Sequence, residues 1–174
     1  DVHTWNKDAF DGVVWGCESI LAAVPSSSPV NGELGRHRLS FDSVRQGGHT
    51  NPAVKGIDLA ALKSEPFVLL KKGNDLHQRA LDLCRKHGFE PEIRMRADQM
   101  LTCYYLAREG KGVTFIRDSI VQHVEETDSI CLYKIDDPLS RREQTMFFRR
   151  NGPPLSKIGR DFLAFIRGRE AGGM

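Results

Sequence analysis

Long hydrophobic runs and an excess of one charge are both missing from this chain of 174 residues. No apolar run approaches the roughly 18 residues of a membrane-spanning helix. The net charge is only +2, which excludes a strongly basic nucleic-acid-coating protein and an acidic disordered tail. Hydrophobic residues make up 40% of the chain, enough for a sizeable core, and the length fits one domain or two small lobes.

The chain also lacks the residue spacings of metal and redox sites. The cysteines do not form the close pairs that bind zinc or exchange disulfides, so we interpret them as small buried residues of a protein in the reducing cytoplasm. They are Cys17, Cys84, Cys103 and Cys131. The histidines are scattered without ligand spacing, so we expect no metal and no cofactor. They are His3, His37, His49, His77, His87 and His123.

Motifs of covalent catalysis and of phosphate loops are absent as well. There is no Gly-x-Ser-x-Gly elbow, and Cys103 is predicted to lie within a helix on its apolar face. The sequence Gly110-Lys111-Gly112 follows a predicted helix and precedes a predicted strand, the reverse of the order in a phosphate loop. We therefore predict no catalytic residues and no enzyme.

What is present is a regular alternation of strands with helices of about 10–14 residues. This pattern predicts an α/β fold with a mostly parallel sheet and helices on both faces. Helices are expected over 75–87, from Asp98 to about 108, and after Pro153-Pro154. Strands are expected near 14–24, 67–71, 92–96, 113–116, 130–135 and 143–149.

Two segments between these elements have their own signals. Residues 25–56 are rich in Ser, Gly and charge and are predicted as a long loop, either disordered or lying over a site. Asp58 is expected to cap a short helix over 58–65.

The start of the helix at Asp98 is the one feature that indicates binding. It follows a strand, so it opens at the carboxyl edge of the sheet, where ligands of open α/β sheets bind. The free N–H groups and the helix dipole favour an anion there. The alternative is that Asp98 only caps the helix, Thr102 packs internally and the arginine is an ordinary surface or capping charge. The predicted site comprises Asp98, Gln99, Met100, Thr102, Phe115 and Arg117, with Gln99 and Thr102 as the best-placed donors.

Five segments also stand in a characteristic order. They are SILAAVP (19–25), DLAALKSEPFVLL (58–70), LCRKHGFEPEI (83–93), YYLAREGKGVTFI (104–116) and DDPLSRREQTMFFRR (136–150). Together with the final helix they resemble the effector-binding domain of LysR-type transcriptional regulators over roughly residues 18–168. The chain departs from that family at Arg108-Glu109, where small residues are usual, at Arg117, where Pro is usual, and in its longer loop 30–56.

The resemblance implies a type 2 periplasmic-binding-protein-like fold, in which a second lobe is incomplete. Residues 18–149 would form lobe two of the effector domain, and 1–17 with 150–174 a remnant of lobe one. The family's DNA-binding helix-turn-helix is absent from this chain. The strands near 18–24 and 143–149 would lie side by side as the crossing between lobes.

The implied function is to bind a small anionic molecule, expected to be a carboxylate, in the inter-lobe cleft and so modulate transcription. The full-length protein would be a cytoplasmic bacterial homo-oligomer, dimer or tetramer, that holds DNA through its N-terminal domain and does not contact a membrane. The helix over 75–87 would supply an oligomer surface, and the fragment alone would pair weakly. The alternatives are an exported solute-binding protein, which the unspaced thiols disfavour, and an enzyme of the same architecture, for which no convergent Ser, His and carboxylate set is evident.

Overall fold

The computed structural model describes residue 6 and residues 8–172. The start of the predicted remnant 1–17 therefore lies outside the described residues. Ser19–Arg141 forms one compact unit, and the residues up to Glu18 form another with those from Arg142 onward. The assignment of 18–149 to lobe two stays a prediction, and the larger unit ends at Arg141, before the last predicted strand begins.

The elements alternate along the chain much as the sequence predicts, and every predicted strand overlaps an observed one. The strands are β1 (Phe10–Pro25), β2 (Arg38–Leu39), β3 (Pro66–Leu70), β4 (Glu92–Ala97), β5 (Thr114–Arg117), β6 (Ile130–Lys134) and β7 (Arg141–Arg149). The α-helices are α1 (Asn31–Leu34), α2 (Phe41–Arg45), α3 (Asp75–Lys86), α4 (Met100–Arg108) and α5 (Lys157–Gly172). Single 3-10 turns lie at Gly35–His37, Gly48–Thr50, Leu59–Leu62, Asp118–Gln122 and Pro138–Ser140.

The strands of the larger unit combine parallel and antiparallel pairing, and most of them run in one direction. β3 runs parallel to β4, and Phe67 of β3 forms a parallel bridge with Val113, just before β5. β1 is antiparallel to both β5 and β6, so β3, β4, β5 and β6 all share one direction. This confirms the predicted α/β fold class, although two strands, β1 and the short β2, run in the opposite direction.

The core of this unit lies on both faces of β1. Ala22 and Val24 contact one cluster of buried residues, to which α3 contributes Leu76 and Leu83. Leu21 and Ala23 point to the other face, where they meet a cluster from α2, α4 and the 3-10 turn after β5. A central strand buried on both faces reads as a continuous apolar run, which is why this strand was predictable.

The prediction of a long loop over 25–56 is wrong. This stretch contains α1, α2 and β2, and β2 pairs with β6 through Arg38↔Tyr133 and Leu39↔Leu132. The hydroxyl oxygen of Ser40 caps α2 by accepting a hydrogen bond from the Ser43 backbone N–H at 3.1 Å. These elements span two to five residues, too short to show a period in the sequence. Similarly, the helix predicted over 58–65 is a 3-10 turn over Leu59–Leu62, capped by Asp58 as predicted.

The smaller unit pairs the first part of β1 with β7. The Arg150 N–H donates to the Ala9 carbonyl at 2.9 Å, and at the other end Gln144 Nε2 donates to Glu18 Oε2 at 3.0 Å, so the strands are antiparallel. The predicted pairing of these two strands is thus present. It uses residues before Ser19 rather than residues 18–24, because residues 20–25 already pair with β5 and β6. The core of this unit is formed by Val13 with Leu163 and Ile166 of α5.

Candidate functional site

The carboxyl ends of β3, β4 and β5 meet at one edge of the sheet, and helices begin there. The Lys71 N–H, just after β3, donates to the Ala97 carbonyl at the end of β4 at 2.9 Å. Asn74 then caps α3 by accepting from the Leu76 N–H at 2.9 Å. Two helix N-termini, those of α3 and α4, are thereby brought to the same edge.

The start of α4 differs from the sequence prediction. Asp98 does not cap it, because the N-cap residue is Gln99, whose side chain makes no capping hydrogen bond. The Asp98 carboxylate instead lies 2.9 Å from Lys71 Nζ, in an exposed pair of small energetic value. The first N–H groups of α4 are therefore left without a side-chain acceptor, which is the arrangement that receives anions at helix N-termini.

Arg117 joins this edge from β5. Its Nη2 lies 2.7 Å from Asp75 Oδ1 at the start of α3, and its backbone N–H points to Met100 Sδ at 3.2 Å. Gln99 and Thr102 are exposed beside it. Five of the six predicted site residues thus lie at this edge: Asp98, Gln99, Met100, Thr102 and Arg117.

Phe115 does not lie at this edge. It is only 2% exposed and stacks on Phe67, with 5.7 Å between the ring centroids, inside the core. It shares a face of β5 with Arg117, but two residues of strand place it about 7 Å further back. The alternation of side chains along β5 correctly predicts that Phe115 and Arg117 share a face, but it does not predict how deeply Phe115 is buried. Phe115 therefore packs in the core beneath this edge.

Three of the four cysteines, those in the larger unit, have the environment of core residues, whereas Cys17 in the smaller unit is exposed, so the prediction that it is buried is wrong. Cys84 and Cys103 are buried, and burial, with a smaller effect of Glu90, raises the pKa of the Cys84 thiol to about 12. Burial also raises the pKa of Cys103 above its usual value. Such thiols are poor nucleophiles at neutral pH. Within the part of the chain that the structure describes, no three His, Cys, Asp or Glu side chains are grouped to hold a metal ion.

A buried histidine–carboxylate pair near the same edge was not anticipated. Asp118 Oδ2 lies 2.9 Å from His49 Nε2 and accepts the Ser19 N–H at 3.0 Å, and His49 is only 3% exposed. His49 falls in the segment predicted as a loop, 69 positions from Asp118, so no sequence signal connects them. A cavity of about 210 Å³ lies alongside, lined among others by Ser19, His49, Lys134, Ser140 and Arg141.

Comparison with known proteins identifies the family to which this chain belongs. The family model described as the LysR substrate binding domain matches residues 47–171, and the chain belongs to that family. A relative, a probable hydrogen peroxide-inducible genes activator of Mycobacterium avium, is 30% identical over 115 residues. That match covers 66% of this chain and 35% of the relative, so the chain spans about a third of the relative's length.

Solved structures give the same fold. The regulatory domain of CcmR from Synechocystis PCC6803, in complex with 2-PG, has a TM-score of 0.69 at 14% identity, covering 95% of this chain and 69% of that one. The BenM effector binding domain with its effector benzoate has a TM-score of 0.65 at 17% identity, covering 97% and 66%. None of the helices in the described ranges is long and apolar enough to cross a membrane.

Proposed function

We propose that this chain is the effector-sensing part of a bacterial LysR-type transcriptional regulator that works in the cytoplasm. In this proposal residues 18–149 are the second lobe of the effector domain, and 1–17 with 150–174 belong to the first. The full-length protein is a homo-oligomer, with α3 as one of its contact surfaces, and it binds DNA through a helix-turn-helix domain. The chain itself performs no catalysis.

The proposed ligand is a small carboxylate bound at the start of α4. The observation that carries this proposal is the uncapped N-terminus of α4 at the same sheet edge as Arg117, whose backbone N–H contacts Met100 Sδ and whose guanidinium lies against Asp75. Free helix N–H groups and an arginine are complementary to a carboxylate in both charge and hydrogen bonding. Gln99 and Thr102 lie exposed at the same place and add neutral donors. The benzoate in the BenM domain is itself a carboxylate, which supports this ligand class.

Binding regulates only if the ligand prefers one of two conformations of the full-length protein. A ligand with equal affinity for both would shift nothing, however tightly it bound. The N–H groups of α4 belong to one unit of the chain, so a carboxylate held there can distinguish two arrangements through whatever it contacts beyond that unit. In this proposal the preference of the ligand for one conformation comes from the contacts that it makes outside the unit containing α4.

Calorimetry on the full-length protein tests the site with benzoate and a panel of other carboxylates. Each neutral hydrogen bond contributes about 0.5–1.5 kcal/mol, so Gln99→Ala and Thr102→Val should each weaken binding roughly 2- to 10-fold. Gln78→Ala, on the exposed face of α3, is the matched control and should bind like the wild type. If a carboxylate binds and neither Gln99→Ala nor Thr102→Val changes its affinity, the site is elsewhere.

A further inference from the structure

A concavity of the Ser19–Arg141 unit lies away from the start of α4 and is lined by several positive charges. Its volume is about 540 Å³. Two short segments, 36–39 and 53–55, form its walls. The lining residues are Arg36, His37, Arg38, Leu39, Ala53, Val54 and Lys55, with three permanent cations and no carboxylate among them.

Both walls of this basic cavity are attached to β6. The first wall is held by the pairing of β2 with β6, in which Arg38 lies opposite Tyr133. The second is held by the ammonium of Lys134, which donates to the carbonyls of Val54 at 2.8 Å and Asn51 at 3.2 Å. One strand therefore anchors both sides of the cavity, the first through backbone pairing and the second through the side chain of Lys134.

His37 joins the two walls directly. Its Nε2 accepts a hydrogen bond from Arg36 Nε at 3.0 Å, so in the neutral ring the proton is on Nδ1, which faces the Lys55 carbonyl at 3.3 Å. The imidazole therefore bridges the segments without adding charge, and it orients the Arg36 guanidinium. Although Arg36, Arg38 and Lys55 are exposed, these contacts hold the two segments that carry them together.

The cations of the cavity have little compensation. Within the described residues, neither Arg36 nor Lys55 has a carboxylate at ion-pair distance. Arg38 lies 4.0 Å from Asp128, whose side chain is fully exposed, so this contact is weak. Like charges held around one concavity raise its potential and concentrate small anions there.

We propose that this basic cavity is a second binding site, for a small organic anion carrying two or more negative charges. Arginine and lysine bind carboxylate and phosphate groups, and Leu39, Ala53 and Val54 offer apolar contact to a carbon skeleton. The volume lies within the roughly 300–1,000 Å³ of small-molecule sites, whereas a nucleic-acid backbone is followed by an extended basic stripe. Residues 36–39 precede the region 47–171 matched by the family model, whereas residues 53–55 lie within it. The basic cavity is independent of the proposed carboxylate site at α4.

The test is to titrate the protein with citrate, glycerol 3-phosphate or inorganic phosphate. Calorimetry measures the affinity, and backbone amide NMR locates the bound anion. We expect citrate or glycerol 3-phosphate to shift the amide signals of residues 36–39 and 53–55. The triple variant Arg36→Gln/Arg38→Gln/Lys55→Gln should lose at least tenfold in affinity for them. The control Lys63→Gln/Arg94→Gln/Lys111→Gln removes the same net charge from exposed positions outside the cavity and should retain binding.

Other variants and probes separate this site from its alternatives. The position of the shifted amide signals separates the two sites: a probe in the cavity shifts those of residues 36–39 and 53–55, whereas a carboxylate at the start of α4 shifts those of residues 99–102. The cavity proposal and the α4 proposal can therefore fail independently. The cavity proposal is overturned if no probe shifts amide signals of the two walls, or if the control variant loses affinity as much as the triple variant. It is also overturned if a short DNA duplex binds the two walls more tightly than any small anion, since the surface would then be a nucleic-acid contact.

Discussion

The guanidinium of Arg117, at the end of β5, lies 2.7 Å from the carboxylate of Asp75, the first residue of α3. This pair ties together two elements whose contact residues are 42 positions apart in the chain. It also places a carboxylate of the protein against the cation that a carboxylate ligand would use. Asp75 is therefore a built-in competitor for the proposed ligand at the start of α4.

Replacing Asp75 should strengthen ligand binding. In Asp75→Asn the guanidinium of Arg117 no longer faces the Asp75 carboxylate and becomes a better donor to a bound carboxylate, so we expect severalfold tighter binding of any carboxylate that the wild type binds. Stability should change by only about 0.2–1 kcal/mol, because the pair is partly exposed. Calorimetry and urea unfolding measure the two effects. Asp82→Asn, further along α3, is the control, and equal or weaker binding by Asp75→Asn would argue against this competition.

Asp137 is a carboxylate held charged in a buried position. Burial alone would raise its pKa. Hydrogen bonds from Lys86 Nζ at 2.9 Å and from the Leu139 N–H at 2.7 Å outweigh burial and hold the pKa below its usual range. A carboxyl group whose pKa is lower in the folded state contributes stability above its unfolded pKa of about 4 and loses it as pH falls through the folded pKa.

The variant Asp137→Asn should therefore show a pH-dependent defect. At pH 7 we expect the free energy of unfolding to fall by about 1–3 kcal/mol, because the variant loses the cap on the Leu139 N–H and the charged hydrogen bond to Lys86. The difference from the wild type should narrow as the pH falls below about 4. Urea unfolding between pH 7 and pH 3 measures it, with the exposed neighbour substitution Asp136→Asn as control. A difference that stays constant over this range would mean that the carboxylate charge is not the source.

The glycines at 110 and 112 look alike in sequence but have different roles. Both have positive φ, +74° at Gly110 and +147° at Gly112. A Cβ at Gly112 would lie 2.5 Å from the Pro66 carbonyl oxygen, whereas at Gly110 the nearest atom is Ser27 Oγ at 3.8 Å. That same Pro66 oxygen accepts the Val113 N–H at 2.8 Å, so the space is closed by the contact between β3 and β5.

Alanine at these positions should thus have unequal effects. Gly110→Ala should lower the free energy of unfolding by about 1–2 kcal/mol, because a residue with a Cβ is strained in the left-handed conformation. Gly112→Ala adds a backbone collision and should cost about 3 kcal/mol or more. Thermal or urea unfolding of the two variants, compared under one set of conditions, decides this. Equal losses would show that the approach of Gly112 to Pro66 has no energetic role.

The sequence was sufficient for the elements that are long or buried on both sides. The run Leu21–Val24 predicts a central strand, and the helical spacing of Leu76, Ala80 and Leu83 predicts α3. The segment containing α2 was not predictable, because Phe41 and Val44 anchor it within only five residues, less than two turns. A period cannot be recognised in so short a helix.

The site was predictable only in outline. The order of a strand followed by a helix start was sufficient to locate Gln99 and Thr102 at the start of α4, since that rule depends on local order, and their role in binding stays a prediction. The pairing of Arg117 with Asp75 and of His49 with Asp118 depends on tertiary contacts over 42 and 69 positions. The basic cavity likewise joins segments with no common motif. Charged residues that come together only in the folded chain have no regular spacing in the sequence, so a single sequence does not reveal that they are neighbours.

Asp118 is expected to be the most important of these long-range contacts for stability. Its carboxylate accepts the Ser19 N–H and bonds the ring of His49, whose side chain is almost fully buried. Asp118→Ala leaves both groups without an acceptor. An unsatisfied buried polar group costs about 1–3 kcal/mol, so we expect a total loss of about 2–4 kcal/mol.

A graded series of substitutions tests this role of Asp118. Asp118→Asn keeps one oxygen acceptor of similar shape and should lose roughly half as much stability as Asp118→Ala. Asp128→Ala, at a fully exposed carboxylate, should be close to neutral. Urea unfolding at pH 7 measures the free energy of unfolding of the three variants. Hydrogen exchange of the Ser19 amide shows directly whether its hydrogen bond is kept. If Asp118→Ala is as mild as Asp128→Ala and the Ser19 amide remains protected, the carboxylate does not anchor this end of the unit, and the burial of His49 must be stabilised by packing alone.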